Sequence, residues 1–230
     1  MTDTAGGTTG EVAFEDAAYT AAVVDLLGVI AYGELTAFER LVDDAKLAPS
    51  LGDKMELTAM AVAEFGHVAP LLDRIAALGA DPVAAMQPFE KPIDEFHAHT
   101  RPRDWLEGLV KAYVGDGLAT DFYREVAAFL PGPDRALVEE VLADTGHADF
   151  ALRELRAAIV ADPKIAGRLA LWARRLVGEA LTQSQAVIAE HDDLAELIIS
   201  GTGDLAGVGE LLGRITTAHS ERMKALGLKG

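Results

Sequence analysis

The stretch "AVAEFGHVAP", residues 61–70, sets Glu64 and His67 three positions apart in an otherwise apolar run. On a helix, positions i and i+3 project from one face. Two polar groups on a buried face are costly unless an ion, a partner side chain or water satisfies them. A second copy of the pattern stands in "LADTGHADF", residues 142–150. Asp144 and His147 lie 80 residues after Glu64 and His67, and Gly146 lies 80 residues after Gly66.

Helical periodicity surrounds both copies. Val23, Leu27, Ile30, Glu34, Phe38 and Leu41 fall at spacings of three and four, which predicts a helix over about 14–46. Pro49, Ser50 and Gly52 end it. Asp53, with Glu56 three residues on, resembles a capping box and opens a second helix reaching about residue 78. Pro82, Pro88 and Pro92 predict a long irregular connection over 79–101. Pro102 and Asp104 open a third helix to about 130, "PGPD" at 131–134 turns the chain, and a fourth helix reaches about 161. Asp162-Pro163 starts a fifth, to about 190. After a break at "SGTGD", 200–204, a last helix spans 205–226. No strand run is evident. The predicted fold class is all-α: two helical hairpins joined by a long crossover into a four-helix bundle, plus two additional C-terminal helices. The implied division is a disordered tail over 1–10, the bundle over 11–161, and C-terminal helices over 162–230 packed on it, one domain overall.

Each polar pair needs a carboxylate from its neighbouring helix. Glu34 interrupts the apolar stripe, and it and Glu64 stand about equally far from the turn near residue 49. In the second hairpin, Asp116 shares a stripe with Leu109, Tyr113 and Thr120, and Gly115-Asp116 repeats Gly33-Glu34. Glu39 and Asp121 are the rivals of Glu34 and Asp116. The set is Glu34, Glu64, His67, Asp116, Asp144 and His147. Four carboxylates and two imidazoles in a bundle core suit two iron ions, with manganese as the other option.

Here a resemblance can be named. Ala31-Tyr32-Gly33-Glu34, Glu39-Arg40, Glu64-Phe65-Gly66-His67, Asp116 and Asp144-Thr145-Gly146-His147 resemble the ferritin-like diiron-carboxylate superfamily. Within it, the chain looks most like the MiaE-type tRNA hydroxylases and their actinobacterial relatives, over roughly residues 14–161. The resemblance implies that the six residues are both metal ligands and catalytic groups. It also implies an O2-dependent hydroxylation of the isopentenyl side chain of a modified adenosine in tRNA. The family's second-half glutamates are aspartates here. Each is one methylene shorter, which leaves two ions, one ion or none open.

The composition narrows this further. There is no cysteine, which excludes disulfides, thiolate zinc sites and Cys-ligated iron–sulfur clusters. With no dinucleotide motif either, an oxygenase of this type needs an external electron donor. The net charge of −17 opposes a broad nucleic-acid footprint. A tRNA substrate would need a patch built from scattered residues such as Arg101, Arg103, Arg153 and Arg156, whereas a small apolar substrate fits the acidic surface better. The N-terminus lacks a signal peptide's basic start and apolar stretch, and Asp25 and Glu34 interrupt the best candidate for a membrane span. The expectation is a cytoplasmic protein with no membrane partner. Two other classes stay open. One is a metal-depleted or non-catalytic bundle acting through a homodimer or a partner. The other is an iron oxidation or storage protein.

The remaining polar motifs read as ordinary structure. "FHAHT", 96–100, reads as a solvated loop, Glu190-His191-Asp192-Asp193 as a solvated helix end, and "GTGDLAGVG", 201–209, as a linker. Tyr32, Tyr113 and Trp105 read as core packing. Pro70 should perturb the second helix just past His67.

Overall fold

The computed structural model describes residues 8–143 and 146–228, with side chains from Ala17 onward. The described residues form helices and turns with no strand. The order is α1 (Thr8–Ala45), α2 (Leu51–Ala77), α3 (Pro82–His99), α4 (Trp105–Val110), a π-helix (Lys111–Asp116), α5 (Gly117–Ala127), α6 (Gly132–Val141), α7 (His147–Ala161), α8 (Ile165–Glu190), α9 (Asp192–Thr202) and α10 (Leu205–Ala225). The all-α bundle expected from the sequence is the observed fold. α1 and α2 form the first hairpin and pack along their length. The run from α4 through α5 and the run from α6 through α7 supply the other two helical layers.

Two apolar clusters hold the bundle, one toward each end. The first joins Val23–Ala31 of α1 to Leu71 and Ile75 of α2, Val126 and Ala127 of α5, and Val138 and Val141 of α6. The second joins Leu41 and Ala45 of α1 to Leu57–Ala61 of α2, Leu109–Val114 of the α4–π run, and Phe150 and Leu155 of α7. Each fully buried Leu or Ile contributes about 1.5–3 kcal/mol. Every one of the four runs passes from one cluster to the other. Glu34, Glu64, His67, Asp116 and His147 all lie in the interval between them. The polar residues therefore occupy a waist separating two apolar half-cores.

Several boundaries differ from the sequence expectations, each for a physical reason. The connection over 79–101 is not irregular: it is α3. Asp81 caps it by accepting from the Ala84 amide at 2.9 Å, and Pro82 sits in its first turn, where a proline is tolerated. Pro88 and Pro92 lie inside it, at a cost of about 3 kcal/mol each in an ordinary helix interior. Burial of Phe89 and Pro92 offsets part of that. The helix also packs against Gly28 of α1, where any Cβ would strike the Ala85 carbonyl.

The third helix is not uniform, because residues 111–116 adopt π geometry. The fourth helix is broken. Gly146 takes φ of +97°, a left-handed conformation that no α-helix accommodates, and α7 starts only at His147. Three C-terminal helices follow the bundle, not two, because the chain breaks at His191 between α8 and α9. α8 packs on the second cluster and α9 on the first.

α1 begins at Thr8, so residues 8–10 are helical where a tail was expected, and residues 1–7 lie outside the described residues. Ala17–Ala45 is apolar and long enough to cross a membrane by length and composition alone, but half of its most apolar window is buried within the bundle.

Candidate metal centre

Five of the six residues expected at the site are described, and the structure groups them at the waist. Glu34 projects from α1 and is 9% exposed. Its Oε2 lies 3.1 Å from His67 Nδ1. Glu64, one turn before His67 on α2, places Oε2 3.6 Å from the same nitrogen. The other oxygen of Glu64, Oε1, lies 2.9 Å from His147 Nδ1 at the start of α7. Glu64 thus stands between the two histidines with one oxygen toward each. One ligand atom from each of Glu34, Glu64 and His67 lies within 4.8 Å of the others.

Asp116 closes the π-helix and couples electrostatically to Glu64 and His147. It is surrounded by protein, yet its side chain stays open to water. Asp144 and Thr145 lie outside the described residues.

The rival acids are elsewhere. Glu39 is exposed beside Arg40. Asp121 is held by Arg222 at 2.6 Å.

The electrostatics show what the cluster lacks on its own. Burial pushes the Glu34 carboxyl well above its ordinary range, and its hydrogen bond with Glu64 adds to this, against the pull of His67. Burial works the same way on Glu64, but the hydrogen bonds with His147 and Glu34 outweigh it and hold that carboxyl low. Of the two carboxyls, Glu34 is the one whose neutral form burial favours. The hydrogen bond to Glu34 raises the His67 pKa. Burial raises Asp116 to about 7, helped by the Glu64 charge. A cation would relieve all three carboxyls at once. The donor set is imidazole nitrogen and carboxylate oxygen with no sulfur, which fits iron or manganese. The residues present therefore fit an ion.

Other polar groups border the site and escaped the reading of the sequence. Tyr123 of α5 is enclosed, and its hydroxyl lies 3.6 Å from where a Cβ on Gly33 would stand. Burial and the Glu34 charge raise its pKa. Its signal was position: Tyr123 is seven residues, two turns, past Asp116.

Lys111 opens the π-helix and is buried. It donates to the Thr100 carbonyl at 3.0 Å and sits 5.2 Å from the centre of the Phe96 ring. Burial lowers its pKa to about 8, opposed by Asp116 and Asp44. Asp44 is raised to about 6 by burial. It lies three positions past Leu41 of the apolar stripe, a signal available in the sequence.

The histidines expected in a solvated loop are on α3. Burial drives the pKa of His97 down to about 3. The Nδ1 of His99 lies 2.7 Å from Glu179. His191 is not a solvated helix end either. It is 11% exposed, pairs with Asp25 at 3.0 Å and stacks on Phe89 at 4.4 Å. Trp105 packs edge-on to Phe150 in the second cluster, as expected. Tyr32 instead turns its hydroxyl outward to Asp94, at 3.0 Å.

A helical bundle with buried carboxylates and histidines at its waist is a ferritin-like protein. Residues 17–201 match the family described as "Ferritin-like domain, actinomycetes", and the chain belongs to it. A similar solved structure is described as "Protein 19 with aldehyde deformylating oxidase activity from Synechococcus". It is 22% identical with a TM-score of 0.72, and the alignment covers 93% of each chain. At that identity the likeness shows the shared fold. Among curated proteins no match emerges.

Proposed function

We propose that the waist holds a pair of iron ions and that the protein is an oxidative enzyme using O2. The single observation behind this is Glu64 set between His67 and His147, one oxygen toward each, with Glu34 against the same His67 nitrogen. Glu34, Glu64 and His67 would hold one ion. Glu64, His147 and Asp116, with Asp144 as the remaining candidate, would hold the other. When bound, the iron supplies the activation of dioxygen.

The chain's own residues do the rest. Metal loading needs the charged form of Glu34, whose carboxyl burial pushes up, so ion uptake is coupled to pH. Phe38, one turn past Glu34, and Phe65, next to Glu64, meet at 5.2 Å between ring centres and form an apolar flank beside the site. The likeness in fold to a protein with aldehyde deformylating oxidase activity supports an oxidative role for this chain.

For the substrate we favour a small apolar molecule over tRNA. Of the four arginines that a tRNA surface was expected to use, Arg153 is paired with Glu56 and Glu154, and Arg156 donates to the Ala225 carbonyl. Electrons would come from an external donor.

Oxygen consumption by the protein loaded anaerobically with Fe(II), supplied with a chemical reductant, tests the reading. The expected result is uptake well above that of free Fe(II), falling to background in Glu64→Ala. Uptake no faster than free Fe(II) contradicts it. Assembly into a large shell on gel filtration would favour iron storage.

A further inference from the structure

Away from the waist, α8 and the turn before α4 enclose a surface depression of about 380 Å³. Its wall carries three guanidiniums, from Arg103, Arg168 and Arg175. The chain has 37 acidic against 20 basic residues, so this is a local reversal of sign. The one acid in the lining is Glu107, which is 1% exposed and already satisfied. Its Oε2 accepts from the Arg103 amide at 2.9 Å and its Oε1 from Arg168 Nη1 at 2.7 Å. Its backbone carbonyl accepts from Trp172 Nε1 at 2.9 Å.

The guanidiniums keep donors to spare. Arg168 spends one nitrogen, Nη1, on Glu107 and Asp104. Arg175 donates through Nη2 to the His99 carbonyl and lies over the Trp172 ring, 5.9 Å from its centre. The Arg103 side chain is 77% exposed, with only a long 3.7 Å approach to Glu107. A guanidinium has five N–H donors in a fork that matches carboxylate and phosphate oxygens. Between two of them stands an apolar surface. Leu171 is three residues after Arg168 and four before Arg175, on the same face of α8, and is 64% exposed.

We propose that this depression binds a small amphipathic anion, its phosphate or carboxylate head held by Arg103, Arg168 and Arg175 and its apolar part lying on Leu171. The volume suits a metabolite-sized ligand. The site is distinct from the waist: Glu107 is nine residues before Asp116 along one helical run, about 13 Å by axial rise. A small ligand fits better than a nucleic acid. The basic area is a single depression on an acidic protein, and its one aromatic ring, Trp172, is buried beneath a guanidinium.

Calorimetric titration of the full chain at low salt, with inorganic phosphate, hexyl phosphate and hexanoate, tests the assignment. Hexyl phosphate or hexanoate should bind more tightly than inorganic phosphate, and the tighter of the two identifies the head group. Arg103→Gln and Arg175→Gln, both at exposed positions, should each weaken that binding about tenfold. Leu171→Ser should weaken hexyl phosphate and leave inorganic phosphate unchanged. Arg153→Gln on α7 should change nothing. Circular dichroism checks that each variant is folded. Arg168 is left intact because removing it would strand the buried Glu107. The proposal is overturned if none of the three probes binds at millimolar concentration. It is also overturned if Arg103→Gln and Arg175→Gln bind as the wild type does. Tighter binding of a single-stranded RNA, lost in Arg103→Gln, would overturn it in favour of a nucleic-acid surface.

Discussion

EFGH at 64–67 and DTGH at 144–147 share residue types and spacing, yet the molecule builds them differently. The first lies in the middle of α2, where Glu64 and His67 are one turn apart and meet Glu34 across the hairpin. The second straddles a helix start. Gly146 is left-handed, and His147 opens α7. The first half-site is thus carried on continuous helix. The second draws its groups from a helix start and from the end of a π-turn, both local departures from α geometry. π-turns often mark functional sites, because they re-aim a side chain without breaking the helix. Here the π-turn ends at Asp116.

The largest expected effect comes from the residue both halves share. Glu64→Ala should weaken metal retention at least about 100-fold and empty both half-sites, read by metal analysis after desalting. His67→Ala and His147→Ala should each empty mainly one half. Equal, complete loss in both would show that the halves are not separable.

The two matching glycines should respond with opposite signs. Gly146→Ala forces a side chain into a left-handed conformation and should destabilise by about 1–2 kcal/mol. Gly66 sits mid-helix with nothing within 4 Å of where a Cβ would stand, so Gly66→Ala should stabilise by about 0.5–1 kcal/mol. Thermal unfolding of the metal-free protein measures both. Shifts of the same sign would break the comparison.

A smaller effect is the pH dependence of the metal-free protein. The folded pKa of Asp116, about 7, lies above its ordinary value of 3.8. A carboxyl raised in this way stabilises the fold at low pH, and that contribution is lost as pH rises from about 4 to 7. The melting temperature should therefore fall over that window by less in Asp116→Asn than in the wild type. Metal loading should reverse the trend, because the ion needs the charged form. His97 acts in the opposite sense. Its folded pKa of about 3 means that stability is lost as pH falls below about 6.5. His97→Gln should lessen that acid loss.

The first half-site was legible because one periodicity governs it. Glu34 breaks an apolar stripe, and a charge there needs a partner. The height of Glu64 followed from counting residues outward from the turn. The second half was legible as composition and spacing only, because positions i and i+3 share a face only while the backbone stays helical. Nothing in "DTGH" announces that Gly146 will be left-handed, since glycine adopts either sign of φ. Pro88 and Pro92 misled for the reverse reason. Local propensity disfavours a helix there, and the burial of Phe89 against α1, which no local window reports, overrides it. The arginine depression was invisible for a third reason. Arg103 and Arg168 are 65 residues apart in sequence and meet only through the packing of α8 on α4.

The central claim is that Glu64 organises a two-ion site at the waist of the bundle. Its most direct test is the iron content of the wild type and Glu64→Ala after anaerobic Fe(II) addition and desalting. The account predicts about two irons per wild-type chain and close to none in the variant. A wild type that retains no iron, or a variant that retains as much as the wild type, would contradict it.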